Sequence, residues 1–387
     1  MRDFTFQNGT KILFGRAAEE RVGAETAPLA ATVLLHYGGG SVKRSGLYDR
    51  IAASLADAAV DVVELGGVQP NPRLSLVERG IELGRRERIG LVLAVGGGSV
   101  IDSAKAIALG IPASCGVWDF FEGISKPERA LPVGVVLTLP AAGSETSPVS
   151  VITNEEGLYK RGFRNGLLRP RFALLNPELT FSLPADQTRF GAVDMLAHVM
   201  ERYFTNEADV ELTDRLCEAT MKTIIANLPR ALARPDDYAA RAELMWASTI
   251  AHNDLLDTGR EGDWASHRIE HELSALYDVA HGAGLAVVFP AWMDHVVGHD
   301  LRRFAQFAHR VWDVEPDFFD MERTAREGIA RFRAFLRSCG LATTLKELSI
   351  GDDRFDEMAR KAVEKGPVGT FVPLGEEDVR AVLERCR

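Results

Sequence analysis

The stretch "GLVLAVGGGSVIDSAKAIAL", residues 90–109, passes from an unbroken apolar run through three glycines into a helical pattern. A short apolar run closed by glycine reads as a strand buried on both faces of a sheet. Glycine lets the chain turn sharply there, and no Cβ keeps an anion from the backbone N–H groups. The helix beginning in "SVIDSAKAIAL" would point its N-terminus at a bound phosphate, with Ser99 as a candidate cap. The same order of elements occurs upstream, where "TVLLHY" (Thr32–Tyr37) leads into "YGGGSVK" (Tyr37–Lys43). One such turn is as readily a plain strand-to-helix connection as a ligand site. Two of them, each directly after an apolar strand, point to a nucleotide. Neither is the G-x-G-x-x-G fingerprint, so the rule placing a ribose-binding acid roughly 20 residues on is not applied to Glu64, which lies near that offset.

The flanking segments extend the alternation. Phe4 to Phe14, "FTFQNGTKILF", reads as an N-terminal β-hairpin, with Asn8-Gly9 supplying a type I′ turn. A helical stretch "GLYDRIAASLADAA" precedes a strand from Asp61 to Leu65. A helical pattern around Ser75–Arg86 leads into the strand at Gly90–Val95, and "PVGVVLTLP" (Pro132–Pro140) is a further strand. Alternation of this kind predicts a Rossmann-like α/β domain with a mostly parallel sheet covered on both faces. After Pro184 the strand signals stop. Ile329, Phe332, Phe335 and Leu336 recur at helical spacing, and Gly340 suits a C-terminal cap. The expected division is a dinucleotide-binding α/β domain over residues 1–182 and an all-helical, metal-binding domain over 183–387. The boundary lies in "NPELTFSLPAD" (Asn176–Asp186). No long linker separates them, so the sequence predicts an active site in the cleft between the two.

The chain has 387 residues, enough for two cores, and a net charge of −10 with no basic run, which argues against nucleic acid as a partner. No apolar run approaches the roughly 18 residues of a membrane span. The N-terminus "MRDFTFQNGT" has no apolar signal region, so the expected location is cytoplasmic, away from membranes. Cys115, Cys217, Cys339 and Cys386 form no CxxC pair and read as idle or buried thiols.

Three of the nine histidines fall in "HRIEHELSALYDVAH" (His267–His281). A second cluster lies in "GAVDMLAHVMERYF" (Gly191–Phe204), where Asp194 and His198 stand four apart among apolar residues. Such a pair shares one helix face, close enough to chelate one ion, and a carboxylate there needs a partner. An Asp–His hydrogen bond that merely braces a helix is the simpler alternative for that pair alone. His267 and His271 are also four apart. His281 is fourteen residues from His267, about 21 Å along a continuous helix, whereas metal–nitrogen bonds are about 2.0–2.1 Å. Only a break, suggested by Asp278, Gly282 and Gly284, would let one ion bind both. Spacing therefore leaves two sets: Asp194, His198, His267 and His271, or the same set with His281 in place of His271.

Asp194-x3-His198 and His267-x3-His271-x9-His281, preceded by two GGGS turns, together resemble the iron-containing (group III) alcohol dehydrogenases. The resemblance runs essentially end to end. "AHNDLLDTGREGDWASHRIEHELSA" looks like the butanol dehydrogenase and aldehyde reductase branch. The resemblance implies a dehydroquinate synthase-like architecture and a homodimer. It also implies one divalent ion, Fe2+ or Zn2+, on Asp194, His198, His267 and His281, with His271 beside the nicotinamide. Gly97, Gly98 and Ser99 would hold the cofactor pyrophosphate, with Asp102 close behind. Thr138, Ser144 and Ser147 would line the nicotinamide side, and Lys160 would reach the ribose. The first cluster would take the adenosine end. There Gly38, Gly39, Gly40 and Ser41 leave room for a 2′-phosphate that Lys43 could meet, so NADP(H) is expected over NAD(H). Ala142 departs from the family, many of whose members have threonine there.

Three neutral imidazoles and one carboxylate leave a divalent ion with a net charge of +1, suited to polarising an aldehyde carbonyl or an alcohol. The expected activity is the interconversion of small primary alcohols such as butanol with their aldehydes, with His271 as proton relay. Three other readings compete. A dehydroquinate synthase would need several basic residues near His267, where mainly Arg260 and Arg268 occur, and glycerol dehydrogenases do not share the Asp/His spacing. A metal-dependent hydrolase would have no use for the nucleotide turns.

Overall fold

The computed structural model describes the whole chain, Met1–Arg387. Its strands are β1 (Lys11–Phe14), β2 (Thr32–Tyr37), β3 (Asp61–Leu65), β4 (Leu91–Gly97), β5 (Val133–Leu139), β6 (Val149–Asn154), β7 (Tyr159–Arg164) and β8 (Phe172–Leu175). Six form one sheet in the order β1-β8-β5-β4-β2-β3, and every pairing in it is parallel. In β4 the residues alternate between two cores. Val92 and Ala94 pack with Val77, Ile81, Ile101 and Ala104, from the helices Leu74–Arg86 and Gly98–Gly110. Leu91, Leu93 and Val95 pack with Leu47, Ile51 and Leu55, from the helix Leu47–Asp57. Both faces are covered, which is why the strand is written as an unbroken apolar run.

The strand order reverses between β2 and β4. From β2 the chain moves outward to β3; from β4 it moves the other way to β5. The helices after β2 and β4 lie on opposite faces. Open α/β sheets bind ligands at such a switch point, beyond the carboxyl ends of the strands. Both glycine turns sit there, on neighbouring strands whose last paired residues include Tyr37 and Val95.

Two expectations need correction. The N-terminal hairpin does not form: residues 1–10 carry no strand, and β1 pairs only with β8, in parallel. Neither Asn8 nor Gly9 has the positive φ that a type I′ turn demands. The Asn8 carboxamide instead accepts from Thr10 N (3.1 Å) and donates to Thr146 O (3.4 Å) and Asn253 O (3.2 Å). Phe4 and Phe6 remain exposed, so no buried face rewards strand formation. Ser99 is not the helix cap either. Gly97 holds that position without a side-chain hydrogen bond. The antiparallel pair β6–β7 and the short strand β8 were not evident beforehand.

Chain contacts define two units, Gln7–Pro184 with Pro235–Asn253, and Met1–Phe6 with Ala185–Arg234 and Asp254–Arg387. The helix Tyr238–Ala251 belongs to the sheet unit, where Thr249 Oγ1 donates to the buried Glu145 (2.7 Å) and Ser248 Oγ to Ala141 O (3.3 Å). The other unit is helical throughout, apart from one bridge between Val368 and Leu374. Gly340, with φ 78°, stops the helix Met321–Ser338 as the sequence suggests. No helix is long and apolar enough to cross a membrane, and all four cysteines are free.

Candidate active site

The helix Ala185–Tyr203 is buried on nearly all sides through its last three turns, and Asp194 and His198 point from it towards two further helices. Those helices, Ala265–Tyr277 and His281–Val296, are separated by three residues. Asp278 takes the left-handed conformation (φ 54°) that ends the first, and Ala280 is extended ahead of the second. The chain thus breaks at Asp278, and His281 becomes the first residue of a new helix. Glycine permits the close return: a Cβ on Gly282 would lie 2.1 Å from Phe190 O, and one on Gly284 would lie 2.6 Å from Glu270 Oε1.

This folding gathers Asp194 and three histidines. Asp194 Oδ1 lies 3.4 Å from His198 Nε2, 3.7 Å from His281 Nε2 and 3.9 Å from His267 Nε2. These separations are too long for good hydrogen bonds and near the roughly 3.4 Å between ligand atoms of a tetrahedral ion with bonds of about 2.1 Å. His267 Nε2 is buried without a hydrogen-bond partner. Asp194, His267 and His281 offer ligand atoms that all lie within 4.8 Å of one another, and His198 Nε2 approaches Asp194 from the same helix, a donor chemistry that suits a divalent cation. Burial and the surrounding imidazoles hold His198 well below the usual imidazole range, keeping it in the neutral, ligating form. His271 lies on the same helix as His267, partly exposed, with its ring 5.6 Å from that of His281.

Two carboxylates that sequence reasoning missed complete the cluster. Glu201, fully buried, accepts from His267 Nδ1 (2.7 Å), Ser266 Oγ (2.5 Å) and Trp264 N (2.5 Å). Glu270, also fully buried, accepts from His281 Nδ1 and Ser274 Oγ. Each holds a proton on Nδ1 and so leaves the Nε2 lone pair for a metal, the usual carboxylate–histidine arrangement. The available signal was spacing: each glutamate follows a candidate ligand by three residues, His198 and His267. Trp264 sits edge-on to both His198 (5.6 Å) and His267 (5.2 Å). Its backbone is left-handed, φ 68°, a costly state for an aromatic residue that the Glu201 bond helps to hold.

In the sheet unit the second glycine turn is built for close approach. A Cβ on Gly97 would stand 2.9 Å from Leu139 Cβ, whereas one on Gly98 would make only an ordinary contact, 3.6 Å from Ala142 Cβ. The first-turn amides of the following helix have no side-chain cap. A phosphate fits both features. Behind the turn, Asp102 accepts from Ser144 Oγ (2.5 Å) and Val151 N (2.9 Å). Lys105, fully buried, donates to Ser144 Oγ (2.8 Å), Ser147 O (2.9 Å) and Val149 O (2.8 Å). Burial pushes its ammonium down to about 8, and burial pushes the Asp102 carboxyl up, against the pull of Lys105, Ser144 and Lys160. The Ser144 hydroxyl is thus committed to this cluster, whereas Ser147 Oγ accepts only at 3.4 Å, from Lys105 Nζ and Val149 N. Lys160 is buried on β7, and Thr138 is half-buried near the end of β5.

The first turn differs. Gly38 and Gly39 have room around them, and Ser41 opens a helix of only four residues, Ser41–Arg44. Lys43 Nζ lies 2.9 Å from Glu64 Oε2 at the end of β3. Glu64 also accepts from Tyr37 Oη (2.9 Å) and Tyr48 Oη.

A doubly wound sheet with two glycine turns at its switch point, on one chain with a carboxylate–imidazole cluster, is the arrangement of a metal-dependent dinucleotide enzyme. The sequence matches the family "Iron-containing alcohol dehydrogenase" over residues 9–177, and "Fe-containing alcohol dehydrogenase family, C-terminal" over residues 188–386. It is 44% identical to probable NADH-dependent butanol dehydrogenase 1 of Bacillus subtilis, over 99% of both chains. To the NADPH-dependent aldehyde reductase YqhD of Escherichia coli it is 36% identical, over 97% of this chain and 96% of that one. The crystal structure of NADH-dependent butanol dehydrogenase A from Thermotoga maritima superposes with a TM-score of 0.97 at 40% identity, covering 100% of this chain and 99% of the other. The chain belongs to the iron-containing alcohol dehydrogenase family, in its butanol dehydrogenase and aldehyde reductase branch, and is an oxidoreductase.

Proposed function

We propose that the protein interconverts small primary alcohols, butanol among them, with their aldehydes, using a nicotinamide dinucleotide and one divalent ion, iron or zinc. The observation that carries this reading is the convergence of three histidine Nε2 atoms on Asp194 Oδ1. The names of the relatives support the substrate class and include users of both NADH and NADPH.

Asp194, His198, His267 and His281 would hold the ion. When bound, the ion supplies Lewis acidity at the substrate oxygen and the reduced nicotinamide supplies the hydride. The remaining work falls to this chain. Glu201 and Glu270 keep the Nδ1 protons of His267 and His281 in place, so both rings present Nε2. Gly97, Gly98 and Ser99 would offer backbone amides to the pyrophosphate. Asp102, Lys105, Ser144 and Ser147 would fix the loop beside the nicotinamide, with Thr138 at its edge and Lys160 near the ribose. His271, partly exposed beside His281, would relay the proton between solvent and the substrate oxygen.

The test is oxidation of NADH and NADPH with butyraldehyde, by protein depleted of metal and then reloaded with Fe2+ or Zn2+. Activity should vanish and return, and Asp194→Asn should lose both bound metal and activity. No oxidation of either cofactor by the loaded enzyme would overturn the proposal. His271→Gln should keep its metal and lose about tenfold or more in kcat with a flattened pH profile; unchanged kcat would remove the relay role.

A further inference from the structure

Trp264 stands at φ 68°, ψ 7°, just before the helix Ala265–Tyr277. Glycine adopts that backbone freely, and an aromatic residue only at a cost. Such outliers persist where the surroundings hold them, and they gather at functional sites. Three neighbours do the holding here. Glu201 accepts from Trp264 N (2.5 Å). Gly262 makes room for the indole, since a Cβ there would lie 3.0 Å from Trp264 Nε1. The fully buried Arg202 guanidinium lies 4.7 Å from the ring centroid, a cation–π contact. It is itself fixed, donating to His198 O (2.8 Å) and pairing with Asp257 (2.9 Å).

The indole so clamped meets two of the candidate ligand rings, His267 at 5.2 Å and His198 at 5.6 Å, edge-on to both. Residues 262–263 and 265–267 on either side of it are buried, yet Trp264 is partly exposed. Of the four candidate ligands only His281 is appreciably open, its side chain 23% exposed against 6% or 7% for the others. His271 is partly exposed beside it. The partly exposed rings of the cluster are thus two imidazoles and one indole. A ring in contact with two ligand imidazoles borders any small molecule that shares their ion, and a clamped ring does not swing aside.

We propose that Trp264 is a specificity-determining residue: its indole is a fixed wall beside the ion that admits aldehydes unbranched at the carbon next to the carbonyl and turns away branched ones. Arg202 and Gly262 are positioning residues for that wall. The inference rests on the proposed alcohol–aldehyde activity and adds which small aldehydes are accepted. Bulk at the far end of a straight chain is left unrestricted by this ring.

Metal-loaded protein is assayed with its nicotinamide cofactor on butyraldehyde and on 2,2-dimethylpropanal. It is also titrated calorimetrically with butyramide and 2,2-dimethylpropanamide, which offer the same carbonyl oxygen but accept no hydride. Wild type should favour the straight-chain member of each pair, about a hundredfold in kcat/KM and about tenfold in Kd. Trp264→Gly takes the left-handed backbone without strain and should bring both ratios to within about threefold. Its Zn2+ affinity should change by less than about threefold, not the roughly tenfold or more that follows loss of a ligand support. Trp264→Phe should leave the ratios in between. A merely structural role would move metal affinity and not the ratios. A wild type without the preference, or ratios unmoved in Trp264→Gly, overturns the inference. So does a Trp264→Gly that unfolds or loses its metal while Trp264→Phe keeps the wild-type ratios. If loaded wild type reduces no aldehyde, the proposed activity falls, and the carboxamide ratios still decide the role of Trp264.

Discussion

Residues 38–41 and 96–99 are both Gly-Gly-Gly-Ser, at the carboxyl ends of adjacent parallel strands, yet the chain leaves them in different ways. After the second copy comes a thirteen-residue helix, Gly98–Gly110, almost entirely buried from Val100 onwards. Of its charged residues, Lys105 is buried and Asp102 partly so, and both are tied to the loop from Ser144 to Val151. After the first copy comes one turn of helix, and the charged residues, Lys43 and Glu64, face solvent. The tetrapeptide sets the turn; the residues after it decide whether the turn is rigidly backed. On the proposed reading the second copy would be a fixed pyrophosphate seat and the first an adjustable contact for the adenosine end of the cofactor.

Removing the two lysines should give the largest contrast. Lys105→Met leaves the Ser147 and Val149 carbonyls without their buried donor, and should cost roughly 2–4 kcal/mol in urea unfolding. Lys43→Met should leave the unfolding midpoint unchanged. Equal effects would dissolve the distinction.

The next effect lies in His36, which joins the surroundings of the two turns. It is the last but one residue of β2, its Nδ1–H donates to Leu65 O (2.8 Å), and its Nε2 accepts from Ser103 Oγ (2.8 Å) on the helix after the second turn. Complete burial pushes its imidazole down to about 4. In the unfolded chain it takes up a proton below about pH 6.5. Stability is therefore full above pH 6.5 and falls as the pH drops towards 4, by on the order of 3 kcal/mol from this group alone. Unfolding curves across that window should lose most of this slope in His36→Gln.

A smaller contrast comes from the glycines. Neither Gly98→Ala nor Gly39→Ala meets a close contact in the fold, so both should keep the wild-type melting temperature. Gly98→Ala should nevertheless weaken dinucleotide binding about tenfold, ~1.4 kcal/mol, and Gly39→Ala by less than about twofold. The reverse order would move the pyrophosphate to the first turn.

Much of this was legible in the sequence because it depends on residues near one another. β2 through β5 are short apolar runs closed by glycine, proline or polar residues, and their bounds in the structure fall within two residues of those expected. The candidate metal residues were legible as types, but spacing could not choose between His271 and His281, since the break at Asp278 is a backbone event. What stayed hidden is contact between distant segments. Nothing local says that Lys43 meets Glu64 across a helix and a strand, or that Glu201 orients His267. Nor does helical periodicity in Tyr238–Ala251 show that it packs with the sheet unit. Asn8-Gly9 failed for the opposite reason, since a strong local turn signal was outweighed by the bonds its side chain makes elsewhere.

The break at Asp278 has a thermodynamic consequence. It puts His281 on a different helix from His267, while Asp194 and His198 come from a third. An ion held by all four would cross-link three helices that the unfolded chain lets drift apart. By mass action such an ion stabilises only the folded state, by about 4 kcal/mol when its free concentration is a thousandfold above Kd. The melting temperature of the helical unit then rises with the logarithm of free metal, so the same protein solution can be used to measure how tightly the ion is held.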